Sequence, residues 1–139
     1  MNQTPTIIKG DFFEDKRGRI DFINDFKLDS IKRIYFIENS DIAKFRGWQG
    51  HKIEKRWFFC NQGAFEISAV KIDDWNNPSA NLKPSKFILE EKKTNVLFIP
   101  SGYANGLRSI YSGSRLIAFS DYTLDDHDDD YRFNSSLWR

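Results

Sequence analysis

Short apolar runs rich in Ile, Phe, Tyr and Val recur along the chain, and Gly, Pro, Asn or charged residues separate them. Runs of this kind between turn signals are typical of β-strands. No window shows the sustained helical period that an amphipathic helix requires. The predicted strands are residues 6–9, 20–24, 32–38, 56–60, 64–72, 85–89, 95–99 and 115–122. This spacing of short strands predicts an all-β sandwich or barrel.

The composition narrows the class of protein. The chain has 139 residues, which predicts one domain, residues 1–139, with a sizeable core. With a net charge of +1, the chain has no overall electrostatic attraction to nucleic acid or to a membrane surface. A single cysteine, Cys60, excludes an intramolecular disulfide, and neither an apolar signal segment nor a span of about 20 apolar residues is present. We therefore expect a cytoplasmic protein that binds neither nucleic acid nor membrane.

One stretch, residues 46–63, concentrates reactive and aromatic side chains in the sequence RGWQGHKIEKRWFFCNQG. On a β-strand, residues two apart face the same side of the sheet. The side chains that this alternation places on one face are Gln49, His51, Ile53, Lys55 and Trp57. The same alternation directs Lys52 and Arg56 to the opposite face. The stretch therefore predicts a pocket built around Gln49 and His51.

The acidic run DDHDDD, residues 125–130, contains His127, which is the second of two histidines. A metal site needs ligands from a rigid constellation, whereas a run of like charges is usually solvated. We therefore predict a solvated acidic loop here rather than a metal site.

The strand pattern, the histidine strand at mid-chain and the P-S-G turn at residues 100–102 resemble the cupin jelly roll, a double-stranded β-helix barrel. Metal-binding cupins bring three or four His and Glu ligands together around one ion. At the corresponding positions this chain has Gln49, His51 and Asn105, and Glu54 comes too early for the usual spacing. We therefore expect neither a metal nor another cofactor at this site.

Three segments of the first half resemble the dTDP-sugar 3,4-ketoisomerases: DKRGRIDFI (15–23), IKRIYFIE (31–38) and RGWQGHK (46–52). The family patterns there are D-x-R-G-x-L, I-K-R-V-Y and R-G-x-H-A-H-K. In the second half, VLFIPSGYANGL (96–107) and, more loosely, IDDWNNPSANL (72–82) resemble the dTDP-4-dehydrorhamnose 3,5-epimerases. SDY (120–122) again resembles the ketoisomerases. The resemblance covers nearly the whole chain and implies the cupin fold.

Carried onto this chain, the resemblance implies a catalytic imidazole at His51. The first histidine of the ketoisomerase pair falls on Gln49, and the later histidine of the epimerases falls on Asn105. A glutamine can orient a hydroxyl or carbonyl group but cannot accept a proton. Proton transfer is therefore expected to depend on His51, whose ordinary pKa lies near neutrality.

Further site residues come from the resemblance and from strand alternation. Tyr35 and Tyr122 are candidates for a second proton-transfer group or for holding sugar hydroxyls, and ordinary core tyrosines are the alternative. The resemblance implies that Arg46 binds the diphosphate or polarises the keto oxygen, and alternation places Arg33 beside Tyr35. The expected catalytic residues are His51, Tyr122 and Tyr35, and the expected substrate-binding residues are Arg46, Gln49, Arg33, Trp57, Asn105 and Trp48.

The preferred function is isomerisation or epimerisation of a dTDP-linked 4-keto-6-deoxy sugar, for polysaccharide sugar biosynthesis, by proton abstraction next to the ketone. The resemblance implies a metal-independent enzyme that forms a homodimer. The first half favours a 3,4-ketoisomerase, and epimerisation stays open. The alternative is a nucleotide-sugar or glycan-binding cupin that has lost catalysis, which Gln49 and Asn105 would fit. A metal-dependent cupin is a third possibility.

Overall fold

A computed structural model describes residues 3–123 and 128–139, and this part of the chain folds into β-strands joined by turns. Within these two ranges no helix is long and apolar enough to cross a membrane. The strands are β1 (Thr6–Lys9), β2 (Asp11–Asp15), β3 (Gly18–Phe22), β4 (Arg33–Ile37), β5 (Phe45–His51), β6 (Arg56–Gln62), β7 (Ala64–Lys71), β8 (Ser85–Glu90), β9 (Asn95–Ile99), β10 (Tyr103–Ser109), β11 (Arg115–Ser120) and β12 (Tyr131–Arg132).

The strands form two five-stranded sheets and one separate hairpin. The first sheet has the order β1-β9-β6-β11-β4, the second has the order β12-β5-β10-β7-β8, and β2 pairs with β3. All of these pairings are antiparallel. The eight strands from β4 to β11 are divided equally between the two sheets, with β4, β6, β9 and β11 in the first and β5, β7, β8 and β10 in the second, as in a jelly roll. The expectation of an all-β cupin jelly roll is confirmed.

The hydrophobic core lies between the two sheets. Alternate residues of β6, β7, β9 and β11 point into it, among them the fully buried Phe58, Phe65, Leu97 and Leu116. This alternation follows from the two-residue period of a strand that has one face on the core. The core rigidly holds the strand ends that carry polar side chains.

A second apolar cluster covers the outer face of the second sheet. It joins Trp48 of β5 and Ala104 of β10 to Trp138 near the C-terminus. Trp48 and Trp138 meet edge to face, with ring centroids 5.4 Å apart, and Nε1 of Trp48 donates a 2.7 Å hydrogen bond to the carbonyl oxygen of Leu137. The C-terminal segment is thereby fixed against β5.

All eight predicted strands occur, with shifts of one or two residues at some ends, and β5 is the strand expected to carry Gln49 and His51, but β2, β10 and β12 were not predicted. The run YANGLRS of β10 lacks apolar alternation, yet this strand lies centrally between β5 and β7. Its Gly106 is required by packing, because a Cβ atom there would lie 2.1 Å from Cζ of Phe45. Pairing with β5 and β7 therefore makes this segment a strand although its local β propensity is weak.

Candidate functional site

The strand that carries His51 ends at that residue. β5 stops at His51 and β6 begins at Arg56, so residues 52–55 form a connection instead of continuing the strand. Because the strand is interrupted, the side chains of β6 do not continue the inward and outward alternation of β5. The prediction that Ile53, Lys55 and Trp57 share the face of His51 is therefore wrong. Ile53 is exposed, and Arg56, which was expected to face away from the site, is buried and lies in the same cavity as His51.

A bulge in β5 brings Arg46 to the same side as Gln49. Asn105 of β10 pairs with Gln49, and Leu107 pairs with Arg46, so two steps along β10 match three along β5. An extra residue in one strand shifts the direction of the side chains that follow it. Arg46 therefore lines the interior side of β5, although simple alternation would turn it away from Gln49.

A cavity of about 410 Å³ opens at the end of the barrel where β5 stops and β4 and β6 begin. Its lining is dominated by charged and hydrogen-bonding groups. The lining residues are Arg33, Gln49, His51, Glu54, Arg56, Tyr122, Thr123, Asp129, Asp130 and Arg132. Concentrating ionisable groups in a concave site is a mark of a binding or catalytic centre.

His51 is buried at this cavity, with only 4% of its surface exposed. Its Nδ1 atom lies 2.6 Å from the main-chain carbonyl oxygen of Asp129. Because a carbonyl oxygen only accepts, the neutral ring carries its hydrogen on Nδ1 and keeps a lone pair on Nε2. Nε2 has no hydrogen-bond partner among the described residues, and Oε2 of Glu54 lies 3.8 Å away. The ring is thus held in the tautomer that accepts a proton through Nε2.

The environment of His51 lowers its pKa below the ordinary value of 6.5. Burial is the largest cause because it disfavours the charged ring, and the nearby Arg56 guanidinium acts in the same direction. The carboxylate of Glu54 and the carbonyl of Asp129 oppose this shift by favouring the imidazolium. At neutral pH the imidazole is therefore free to act as a base.

Glu54 forms a buried ionic cluster beside His51. Its carboxylate accepts a short hydrogen bond from Nε of Arg56, and Nη2 of Arg33 lies 3.5 Å from its other oxygen. The Glu54 and Arg56 side chains are both almost fully buried. The cluster orients two guanidinium groups toward the cavity, where they can stabilise an anionic group.

Gln49 connects this cavity to a second one of about 290 Å³. Its side-chain oxygen accepts a 2.9 Å hydrogen bond from Nη1 of Arg56, and its amide nitrogen donates to Asp130 at 3.1 Å. Asp130 in turn accepts from Arg132. The residues lining the second cavity are Tyr35, Phe36, Ile37, Glu38, Arg46, Gly47, Gln49, Arg56, Asn105, Leu107 and Arg132. The two cavities share Gln49, Arg56 and Arg132 and are therefore adjacent, and together they are called the cleft below.

The expected site tyrosines lie on opposite sides of this cleft. Tyr122 lines the first cavity and Tyr35 lines the second. The buried hydroxyl of Tyr35 has no hydrogen-bond partner among the described residues, and burial raises its pKa. Its ring lies near the guanidinium groups of Arg33 and Arg56. Tyr35, which lines the second cavity, thus keeps a protonated hydroxyl that is unpaired among the described residues.

Two further expected ligand residues, Arg46 and Asn105, line the second cavity. Arg46 is exposed and donates from Nε to the side-chain oxygen of Asn39 at 3.3 Å. Asn105 is buried and pairs in register with Gln49. The cleft therefore brings together seven of the expected site residues: His51, Tyr122, Tyr35, Arg46, Gln49, Arg33 and Asn105.

The two expected tryptophans lie elsewhere. Trp48 points to the outer face of the second sheet, where it is 1% exposed within the cluster that contains Trp138. Trp57 lies on the outer face of the first sheet, with its ring 5.2 Å from Phe98 and 6.1 Å from Phe26. Neither residue lines the cleft within the described ranges. The expectation that they contact the ligand is corrected, since alternation turns Trp48 outward and the turn at 52–55 inverts the phase at Trp57.

Sequence reasoning missed several residues of the cleft, which are Glu54, Arg56, Asp129, Asp130 and Arg132. Residues 124–127, including His127, lie outside the described residues, so the structure describes only part of the predicted acidic loop. Asp129 of that run is not solvated: it is 3% exposed and contacts residues 51–54. The only signal in the sequence was the acidic run itself, whose contact with β5 depends on the tertiary fold.

The chemistry available in the cleft is proton transfer beside an anionic ligand. His51, whose Nε2 is unpaired among the described residues, lines the first cavity; Tyr35, whose hydroxyl is likewise unpaired, lines the second; and Arg56 lines both. Such groups can remove a proton, return one and stabilise the charge that forms between the two steps. Within residues 3–123 and 128–139, no three His, Cys, Asp or Glu side chains are grouped as ligands for a metal ion.

Solved structures with the same fold include sugar-nucleotide enzymes. A variant of the QdtA 3,4-ketoisomerase from Thermoanaerobacterium thermosaccharolyticum, in complex with TDP, is 25% identical, with a TM-score of 0.74 and coverage of 96% of this chain and 90% of that chain. The WlaRB TDP-quinovose 3,4-ketoisomerase from Campylobacter jejuni is 18% identical, with a TM-score of 0.70 and 95% coverage of both chains. The dTDP-4-dehydrorhamnose 3,5-epimerase from Bacillus anthracis, with TDP and PPi bound, is 16% identical, with a TM-score of 0.75 and coverage of 95% of this chain and 79% of that chain.

The last two structures, which are 18% and 16% identical to this chain, show a shared fold. No curated protein sequence matches the chain. A family match, by contrast, extends over residues 3–137. Because it spans nearly the whole chain, the protein belongs to the family described as FdtA: WxcM-like, C-terminal.

Proposed function

We propose that this protein is a metal-independent isomerase of a dTDP-linked 4-keto-6-deoxy sugar, and that it acts as a 3,4-ketoisomerase. Family membership supports a sugar-nucleotide isomerase or epimerase. The choice of ketoisomerisation rests on the R-G-x-x-x-H-K segment around His51 and on the single titratable imidazole that the described cleft contains. Epimerisation at one carbon is the second candidate, favoured by the likeness of residues 96–107 to the epimerases.

The observation that carries the proposal is the state of His51. A buried imidazole with Nδ1 bonded to a carbonyl and with Nε2 unpaired is a base with its lone pair available. Its lowered pKa keeps it unprotonated at neutral pH. A carbon next to a ketone loses a proton when a base lies within reach and donors stabilise the resulting oxyanion.

In the proposed reaction His51 takes the proton from C3 of the sugar through Nε2. An enediolate forms across C3 and C4, and its charge is stabilised by the guanidinium groups of the cleft. A proton then reaches C4, while the hydroxyl proton of C3 passes to the oxygen on C4. The double bond to oxygen thereby moves from C4 to C3 with no change in oxidation state of the whole molecule. Tyr35 or Tyr122 is the proposed proton donor.

Substrate binding is proposed to use both cavities. Arg46 and Arg33 bind the diphosphate or the keto oxygen, because a guanidinium presents a planar set of donors to oxygen anions. Gln49 and Asn105 orient sugar hydroxyls. Arg56 joins them because it lines both cavities.

The proposal is tested by proton NMR of dTDP-4-keto-6-deoxyglucose in deuterated water. Wild-type protein is expected to introduce deuterium at the exchanging carbon and to form the 3-keto isomer. His51→Gln is expected to abolish exchange, while its amide can still donate to the Asp129 carbonyl and preserve the pocket. Wild-type protein that binds the nucleotide sugar without any exchange would instead support a binding protein that has lost catalysis. Deuterium at C3 without a shift of the ketone would support the epimerase.

We further propose a homodimer whose subunits pair through the outer face of the first sheet. A row of apolar side chains crosses four neighbouring strands there: Ile34, Phe119, Trp57 and Phe98. Ile34 and the nearby Phe36 are each 52% exposed. Contiguous exposed apolar surface on a sheet is typical of an interface between subunits.

A cytoplasmic location is proposed as well, since the single cysteine fits a reducing compartment.

A further inference from the structure

Asp129 makes an unusual set of contacts with the segment that follows His51. Its carboxylate accepts hydrogen bonds from three consecutive backbone N–H groups: Lys52 at 2.7 Å, Ile53 at 3.0 and 3.1 Å, and Glu54 at 2.7 Å. Successive N–H groups that converge in this way form a concave anion site. Here the anion is a side chain of the protein, and it is buried.

The same residue also holds the His51 ring. The main-chain carbonyl oxygen of Asp129 accepts the hydrogen bond from Nδ1 at 2.6 Å. A single residue, 78 positions away in the sequence, therefore fixes both the imidazole and the three backbone groups directly after it. Any movement of Asp129 changes the orientation of the ring and the path of the connection together.

Asp129 is itself fixed by the strand that follows it. β12 pairs antiparallel with β5, with Tyr131 opposite Gly50 and Arg132 opposite Gln49. This pairing places the residues just before β12 over the end of β5, where His51 lies. The acidic run of the sequence thus supplies a rigid contact to the base.

We propose that Asp129 is the positioning residue of the base: its carboxylate anchors the connection after His51, and its carbonyl selects the Nδ1–H tautomer that leaves Nε2 free. The proposal rests on the function proposed for His51 but adds a residue that acts through the imidazole and through the backbone that follows it. In metal sites, removing the group that orients a ligating imidazole through its other nitrogen typically costs about 10- to 100-fold in affinity or activity, and we expect a loss of the same order here.

The test compares Asp129→Asn and Asp129→Ala with a matched control, Asp121→Asn. Asp121 accepts a 2.8 Å hydrogen bond from the backbone N–H of Lys55, so it caps the same connection without contacting His51. Asp129→Asn keeps the size of the side chain but sets an amide NH₂ against backbone donors. It serves as the decisive variant if Asp129→Ala does not fold.

The first readout is the tautomer of His51, followed by ¹⁵N–¹H NMR without substrate. The chain has two histidines, so a His127→Gln background leaves one imidazole to observe. Wild-type and Asp121→Asn proteins are expected to show the Nδ1–H form, whereas the Asp129 variants are expected to show a mixture with the Nε2–H form. Folded Asp129 variants that keep the pure Nδ1–H form would overturn the proposal.

The second readout separates positioning from binding. The Asp129 variants are expected to lower kcat by about 10- to 100-fold, while KM changes by less than about threefold, because the Asp129 carboxylate is already occupied by three backbone N–H groups. An equal loss in Asp121→Asn, or an unchanged kcat in Asp129→Asn, would contradict the positioning role. If wild-type protein turns over no keto sugar, the proposed function fails, and the tautomer measurement still decides whether Asp129 positions His51.

Discussion

Nη1 of Arg56 donates a 2.9 Å hydrogen bond to the side-chain oxygen of Gln49. The amide nitrogen of Gln49 donates at the same time to Asp130. Gln49 is therefore not a substitute base. It links the guanidinium of Arg56 to the segment that carries Asp130 and Arg132, and so holds the two cavities of the cleft together.

Replacing Gln49 by Leu is expected to lower the free energy of unfolding by about 1–3 kcal/mol, because the nearly buried Arg56 loses an acceptor and Asp130 loses a donor. Chemical denaturation measures this change. Gln62→Leu is the matched control, since Gln62 is exposed and donates one hydrogen bond to the carbonyl of Gly113. A loss no larger for Gln49→Leu than for Gln62→Leu would show that the bridge does not stabilise the fold.

The depressed pKa of His51 predicts how activity depends on pH. The base must be neutral, so kcat/KM is expected to fall as the pH drops through the His51 pKa, with its inflection below 6.5. The charged groups that act on the ring are Arg56, which lowers the pKa of His51, and Glu54 and Asp129, which raise it. An inflection above 6.5 would contradict a buried base next to a guanidinium.

The free energy of unfolding is expected to depend on the same titration of His51. Because the pKa of His51 is lowered by folding, the unfolded chain binds more protons between that value and 6.5. The contribution of this residue to the free energy of unfolding is therefore complete above pH 6.5, and it is lost as the pH falls through the pKa of the folded state. Urea unfolding of wild-type and His51→Gln proteins across this range is expected to differ in slope, with the wild type losing more stability in acid.

Glu54 balances the two guanidinium groups beside His51. Glu54→Gln is expected to destabilise the protein by on the order of 3 kcal/mol, because it leaves the buried Arg56 without its counter-charge. It should also lower the His51 pKa further, since the carboxylate opposes the effect of burial. Denaturation and NMR titration of the imidazole measure the two effects.

The control for this change is Glu66→Gln. Glu66 pairs with Arg108 at 3.0 Å on the outer face of the second sheet, where the arginine side chain is 46% exposed. Exposed pairs of this kind contribute about 0–1 kcal/mol. If both variants lost the same stability, or if Glu54→Gln raised the His51 pKa, the role of Glu54 would be wrong.

Trp48 is expected to support the fold without contacting the ligand. Trp48→Phe keeps an aromatic ring against Trp138 but removes the hydrogen bond to the Leu137 carbonyl. We expect a loss of about 1–3 kcal/mol in stability and an unchanged Kd for dTDP. Calorimetric measurement of dTDP binding to the folded variant checks this prediction. A large loss of affinity would show that Trp48 contributes to the binding site.

The proposed dimer predicts a change in molecular mass when its face is charged. The double variant Ile34→Glu, Phe36→Glu is expected to sediment as a monomer, because two carboxylates would be buried against an apolar surface. Ile88→Glu is the control, since Ile88 is 53% exposed on the second sheet. A wild-type protein that sediments as a monomer, or a control that dissociates equally, would argue against this interface.

The local sequence determined much of the fold. Alternating apolar runs and turn residues predicted eight strands because these signals act over a few neighbouring residues. The same pattern, with the resemblance of residues 15–23, 31–38 and 46–52, led to the jelly roll and to His51. Residues on regular strands, such as Gln49, His51, Arg33 and Tyr35, were assigned to the correct face because alternation holds there.

The tertiary structure alone decided the rest of the site. The turn at residues 52–55 inverts the phase of the next strand, which moves Arg56 into the cleft and Trp57 out of it. Asp129, 78 residues from His51 in the sequence, reaches it only because β12 pairs with β5. A periodic pattern describes which side of a strand a residue faces, but turns that reset the phase and contacts between distant segments depend on packing of the whole chain.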